Sequence, residues 1–209
     1  MRKVSKNLRM ESVKTFNPEP TYIKANQAIT PEVAKTLMEL VDERGGKSKW
    51  FANPKCLEFQ IANPFSDKRE ENDSKIISVL PELFPLGQSL MRHINWGFKN
   101  SGFDVVTGYH GFWILKYEEG GQFEPHCDLD SGPNGIRPVI FATASILLND
   151  DFSGGDIILF DSDGKESIIH STKDKYSVLV WDGTTRHCVK PITQGNRYSL
   201  VIHFTGITK

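Results

Sequence analysis

His126, Asp128, His187 and Arg197 are the residues whose types and spacing suit chemistry. Two imidazoles and one carboxylate, with no fourth protein ligand in evidence, make the facial donor set that holds Fe(II) and leaves coordination positions open. A closed structural zinc site would show four ligands, often thiolates. The pair sits in His126-Cys127-Asp128. In a strand, residues i and i+2 face one side, so both can reach one ion while Cys127 turns away. His187 lies far downstream and must arrive through folding. A lone His-x-Asp is weak evidence by itself. The turn Gln194-Gly195-Asn196 followed by Arg197 and Ser199 strengthens it. A planar guanidinium there suits an anionic co-substrate, because it grips a carboxylate through two parallel hydrogen bonds.

The elements that must position these groups are short and β-prone. Runs at Phe112–Tyr117, 143–148, 156–160, 167–170, 176–181 and 198–204 read as strands. Gly120-Gly121, Gly132-Pro133-Asn134-Gly135, Gly154-Gly155, Asp163-Gly164 and Gly195-Asn196 separate them as turns. Several short strands at close spacing predict a sandwich or jelly roll. Earlier in the chain the pattern is helical. Thr30 reads as an N-cap and Pro31 as the first helical residue, and Gly45-Gly46 stops the run. Ile76, Ile77 and Leu80 fit one face of a second helix, which Pro81 and Pro85 are expected to interrupt. Leu86, Leu90, Ile94 and Phe98 resume the spacing, with Gly102 closing it. Residues 1–20 read as a tail or an edge strand, and 46–66 as irregular or weakly stranded. Residues 1–105 are therefore expected to be mainly helical support, and 106–209 a catalytic β core, in one domain.

Composition narrows the classes. The chain has 209 residues and a net charge of −1, without a long basic block, so nucleic acid is not an expected partner. No run of eighteen apolar residues exists and the N-terminus lacks the apolar core of a signal peptide. Three cysteines, Cys56, Cys127 and Cys188, are too few and too odd for a disulfide scaffold. A cytoplasmic protein with no membrane partner is the expectation.

The chain resembles the Fe(II)- and 2-oxoglutarate-dependent dioxygenases, and within them the prolyl 4-hydroxylase-like group. Three stretches carry the resemblance: 117–128 with Glu124-Pro125-His126-Cys127-Asp128, 145–156 with Asn149-Asp150-Asp151-Phe152-Ser153-Gly154-Gly155-Asp156, and 187–200 with Gly195-Asn196-Arg197-Tyr198-Ser199. The likeness covers about residues 112–204. It implies a mainly β fold with α elements, a double-stranded β-helix (jelly-roll) core supported by N-terminal helices. It also implies that His126, Asp128 and His187 bind Fe(II). Arg197 would pair with the distal carboxylate of 2-oxoglutarate, with Ser199 and Tyr117 as donors beside it. O2 would be the other co-substrate and L-ascorbate an accessory reductant. The implied reaction is decarboxylation of 2-oxoglutarate to succinate coupled to hydroxylation of an unactivated C–H bond. Animal-type prolyl 4-hydroxylases place lysine where Arg197 stands. Arginine is closer to lysyl-hydroxylase-like and bacterial relatives, which leaves the substrate open.

A prolyl residue, or a lysyl residue, in a protein or peptide is the leading substrate. Alternatives are a small molecule such as a free amino acid, a non-catalytic metal-binding jelly-roll domain, or a cupin-like zinc or manganese binder. His93, His110, His170 and His203 read as structural or solvent-facing, and Trp113 and Trp181 as core or cleft wall. The glycine-rich loop 129–138, directly after the candidate ligands, reads either as a cover over substrate or as an ordinary hairpin loop.

Overall fold

In the computed structural model the described residues are 10–14, 22–47, 55–61, 73–97, 105–128 and 140–207. Gly102 and the loop 129–138 lie outside them. In chain order the elements are β1 (Met10–Lys14), β2 (Tyr22–Ala25), α1 (Pro31–Arg44), β3 (Gly46–Lys47), β4 (Cys56–Ile61), α2 (Ser74–Gly97), β5 (Val105–Tyr109), β6 (Phe112–Tyr117), β7 (Phe123–His126), β8 (Ile140–Leu147), β9 (Ser153–Gly154), β10 (Ile157–Phe160), β11 (Glu166–His170), β12 (Val178–Asp182), β13 (His187–Val189), β14 (Ile192–Gln194) and β15 (Arg197–Ile207).

α1 begins where the residue types require. The Thr30 side chain accepts the Val33 N–H at 3.3 Å, and Pro31 follows it. Val33, Leu37, Leu40 and Val41 make its buried face. α2 departs from the sequence expectation. It runs unbroken through Pro81 and Pro85. Each proline deprives one carbonyl a turn earlier of its N–H partner. Both prolines and Ile77 lie on the exposed face, where water can satisfy those carbonyls. The opposite face buries Ile76, Val79, Leu83, Leu86, Leu90 and Ile94. Six buried apolar side chains, each worth about 1.5–3 kcal/mol, outweigh the two interior prolines at roughly 3 kcal/mol each.

The large sheet has the strand order β1-β2-β12-β8-β15-β6-β4-β3, with β5 also paired to β15. A smaller sheet, β11-β10-β13-β7, faces it, and β14 pairs with β9. This is the jelly-roll architecture. The first hundred residues supply more than helices: β2 extends the large sheet beyond β12, and β4 extends it beyond β6. Their strand signal was weak because their pairing partners lie far away in sequence.

Two apolar layers result, and β15 separates them by alternation. Leu200, Ile202 and Phe204 point outward into the cluster under α1 and α2, with Leu40, Leu83 and Ile94. Val201 points inward to the cluster between the sheets, with Leu115, Tyr117, Leu179 and Trp181. Period-two geometry puts Arg197, Ser199 and His203 on the same inward face. No helix among the described residues is long and apolar enough to cross a membrane.

Candidate active site

β7 and β13 are neighbours in the small sheet, and His187 stands in register with His126. Pairing therefore brings the two histidines together across the sequence gap. β7 ends at His126, so Asp128 sits in the turn beyond the strand rather than within it. It converges nonetheless. Asp128 Oδ1 is 3.4 Å from His126 Nε2 and 3.6 Å from His187 Nε2. One ligand atom from each residue lies within 4.8 Å of the others, a spacing that can hold a metal ion. Cys127 turns away and donates to the Thr184 carbonyl.

Local hydrogen bonds fix each ligand's orientation. Nδ1 of His126 is 2.8 Å from the Glu124 carbonyl, and Nδ1 of His187 is 2.9 Å from the Thr185 carbonyl. Both Nδ1 atoms must then carry the proton, leaving the Nε2 lone pairs free to ligate. Trp181 lies against His187, its ring centroid 4.7 Å away. The turn ahead of His187 is held by Asp182, which accepts the Thr184 and Thr185 backbone N–H groups. Gly183 is obligatory there. A Cβ would fall 2.0 Å from the Ile140 carbonyl oxygen.

Thr143, on β8, donates its hydroxyl to Asp128 Oδ2 at 2.5 Å. Burial works to raise the Asp128 carboxyl. The hydrogen bond from His126, the charges of His187 and His203, and the Thr143 hydroxyl overcome it and hold Asp128 well below the usual carboxylate range. Burial meanwhile drives His187 and His203 toward their neutral forms. The two tendencies conflict, because neutral imidazoles give the carboxylate no full countercharge. A divalent cation among the three removes the conflict, and the nitrogen and oxygen donor set fits Fe(II).

Deeper between the sheets lies Arg197, fully enclosed at 2 % exposure. Its NH1 donates to Ser199 Oγ at 3.1 Å, and its guanidinium stands 5.6 Å from the Tyr117 ring. Its Nε has no partner among the described residues. Among the described residues no carboxylate forms an ion pair with it. An enclosed cation with an unanswered donor fits a carboxylate ligand. Tyr117 links the two regions: burial first, then the Cys56 thiol, raises its hydroxyl, and the charges of both Arg197 and Asp128 reach it. All six residues singled out in the sequence therefore lie along the space between the sheets.

Thr143 escaped the sequence reading, while Trp181, read as core or cleft wall, is buried in the intersheet cluster. Thr143 and Trp181 hold the ligands as described. His203, expected to be structural or solvent-facing, stands on the inner face of β15, in register with Thr143. Counting by twos from Arg197 reaches His203. Thr143 and Trp181 need the β8–β15 and β8–β12 registers.

Burial, followed by the charge of Arg197, also holds His170 well below its usual value. The unfolded chain thus binds a proton below about pH 6.5 that the folded chain refuses. Stability is expected to fall on acidification from about pH 6.5, and His170→Leu to flatten that part of a denaturant-midpoint-against-pH curve.

Comparison with known proteins agrees with this geometry. Residues 112–205 match the 2OG-Fe(II) oxygenase superfamily. A PKHD-type hydroxylase of Idiomarina loihiensis is 31% identical over 88 residues, covering 42% of this chain and 38% of the relative. The PKHD-type hydroxylase PiuC of Pseudomonas aeruginosa is 27% identical over 88 residues, covering 40% and 38%. The chain thus spans about two fifths of the length of these relatives. Among solved structures, a Pseudomonas putida prolyl-4-hydroxylase superposes with a TM-score of 0.61 at 16% identity, covering 89% of this chain and 92% of that one. A Trichoplax adhaerens prolyl hydroxylase, in complex with a hypoxia inducible factor peptide fragment, gives 0.64 at 17% identity, covering 88% and 83%. Residues 112–205 are thus similar in sequence to the 2OG-Fe(II) oxygenase superfamily, and the chain shares its fold with the prolyl hydroxylase structures.

Proposed function

We propose that the protein is an Fe(II)- and 2-oxoglutarate-dependent hydroxylase acting on a prolyl, or lysyl, residue of a protein or peptide. The observation that carries this reading is the pairing of a convergent His126–Asp128–His187 set with an enclosed, unpaired Arg197 in the same intersheet space. The peptide substrate draws support from the resemblance to PKHD-type hydroxylases and from the peptide complex of the Trichoplax adhaerens enzyme.

In this reading His126, Asp128 and His187 hold iron through Nε2, a carboxylate oxygen and Nε2. Arg197, with the Ser199 and Tyr117 hydroxyls, holds the distal carboxylate of 2-oxoglutarate. Iron(II) bound there supplies, with O2, the oxidising chemistry that decarboxylates 2-oxoglutarate to succinate and carbon dioxide and hydroxylates the substrate carbon. The protein's part is placement. Thr143 and the two backbone carbonyls keep the ligands from rotating. The apolar layer of Leu115, Leu179, Trp181 and Val201 keeps bulk water from the buried end. L-Ascorbate serves as a reductant that keeps the iron ferrous.

The test is succinate formation from 2-oxoglutarate with Fe(II), O2 and ascorbate, followed by mass spectrometry of proline-rich and lysine-containing peptides for an added oxygen. Absence of both turnover and 2-oxoglutarate binding in the metal-loaded protein would sink the reading. Thr143→Val removes the hydroxyl on Asp128 while keeping the side chain's shape. Its Fe(II) affinity is expected to fall by about 10- to 100-fold, the range for partners that orient a metal ligand, measured by competition with a chelator.

A further inference from the structure

We infer that His170 is a second donor to the distal carboxylate of 2-oxoglutarate, placed beside Arg197 at the closed end of the intersheet space. This rests on the oxygenase reading above and adds a residue to it. His170 ends β11 and is 2 % exposed. It stands opposite Ile157, whose side chain packs in the intersheet cluster, and cross-strand partners share a face. The imidazole therefore points inward.

Arg197 reaches the same place. Its Cδ would lie 2.9 Å from a Cβ on Gly155, two residues before Ile157. Gly155, at φ +69°, leaves the space the arginine stem occupies. The Arg197 charge is second only to burial in acting on the His170 ring.

Each of these two enclosed side chains leaves one nitrogen unanswered: Nε of Arg197 and Nδ1 of His170. The other His170 nitrogen, Nε2, is 3.0 Å from Ser177 Oγ. Ser177 is itself 1 % exposed and donates its hydroxyl to the Asp174 carbonyl in this structure; on carboxylate binding that proton would turn to Nε2. When it donates to Nε2, the single proton of a neutral imidazole sits on Nδ1. In that tautomer His170 Nδ1 and Arg197 Nε are two unanswered N–H donors, one neutral and one cationic, that a carboxylate with two oxygens could accept from.

The experiment is calorimetric titration of Mn(II)-loaded protein with 2-oxoglutarate and with pyruvate, a 2-oxo acid that lacks the distal carboxylate. His170→Leu removes the donor, and His170→Asn keeps an amide N–H near the Nδ1 position. The expected result is about tenfold weaker 2-oxoglutarate binding in His170→Leu, the scale of one lost hydrogen bond to a charged group. His170→Asn should recover most of that loss. Pyruvate and Mn(II) affinities should stay unchanged in both variants. Unchanged 2-oxoglutarate binding in His170→Leu overturns the inference. So does an equal loss for pyruvate, or no recovery with asparagine, since each marks packing rather than donation. Failure of the wild-type protein to bind 2-oxoglutarate overturns the oxygenase reading itself. Should His170→Leu not fold, ring ¹⁵N spectra of the wild-type protein loaded with Zn(II) decide. 2-Oxoglutarate should move the His170 Nδ1 resonance and pyruvate should not; equal or absent responses overturn the assignment.

Discussion

Replacing Asp128 with alanine is expected to remove succinate formation and to weaken metal binding by more than about 100-fold. Loss of partners that only orient a ligand already costs about 10- to 100-fold. Here the lost group is the one anionic ligand of the set, and the two remaining imidazoles bring no negative charge to a cation. Asp128→Asn makes a sharper version of the test. The Asp128 carboxyl is held well below its usual range, so it is ionised at any ordinary assay pH. Asparagine then removes charge at nearly constant shape. The readout extends to stability. A metal present at about 100 times its Kd adds about 2.7 kcal/mol to the folded state. At roughly 2–4 °C per kcal/mol for a chain of this size, the wild-type melting temperature should rise by about 5–11 °C on adding Mn(II). Neither Asp128 variant should show that rise. A variant that still gains several degrees would place the metal elsewhere.

Arg197→Ala carries the second large effect, of a different kind. Metal affinity should persist, because Arg197 touches none of the three ligands. The 2-oxoglutarate requirement should rise by about two orders of magnitude. A bidentate contact to a carboxylate is two charge-assisted hydrogen bonds at about 1.5–3 kcal/mol each, and 1.4 kcal/mol is a factor of ten. Arg197→Lys should fall between, since an ammonium offers a point charge without the planar fork. Steady-state titration of 2-oxoglutarate at saturating Fe(II) separates the cases. An unchanged half-saturation concentration in Arg197→Ala would remove that residue from the co-substrate site. Folding stability should change little in the metal-free and co-substrate-free protein. An enclosed guanidinium with an unanswered Nε contributes little net stability, because desolvation offsets what it gains.

Much of the catalytic half was legible in the chain alone. His126-Cys127-Asp128 announces two candidate ligands through local spacing. The glycine turns announce a β architecture, because positive-φ positions such as Gly120, Gly154, Gly155 and Gly195 tolerate few other residues. The start of α1 was legible for the same local reason, a threonine cap ahead of a proline. These signals depend on atoms within a few residues of one another, so the sequence by itself determined them.

The tertiary structure decided the rest. Pro81 and Pro85 read as breaks, yet α2 continues, because the cost fell on a solvent face and burial of the opposite face was larger. β4 lay in a stretch that read as irregular or weakly stranded and β2 in one without a reading, because distant strands complete their hydrogen bonds. Thr143, Trp181 and His203 have no local motif; the β12–β8–β15 register alone sets them behind the ligands. His170 and Arg197 are buried on strands of different sheets, which no local motif brings together. Pairing register and burial are sums over contacts between distant residues, and no short window of sequence contains them.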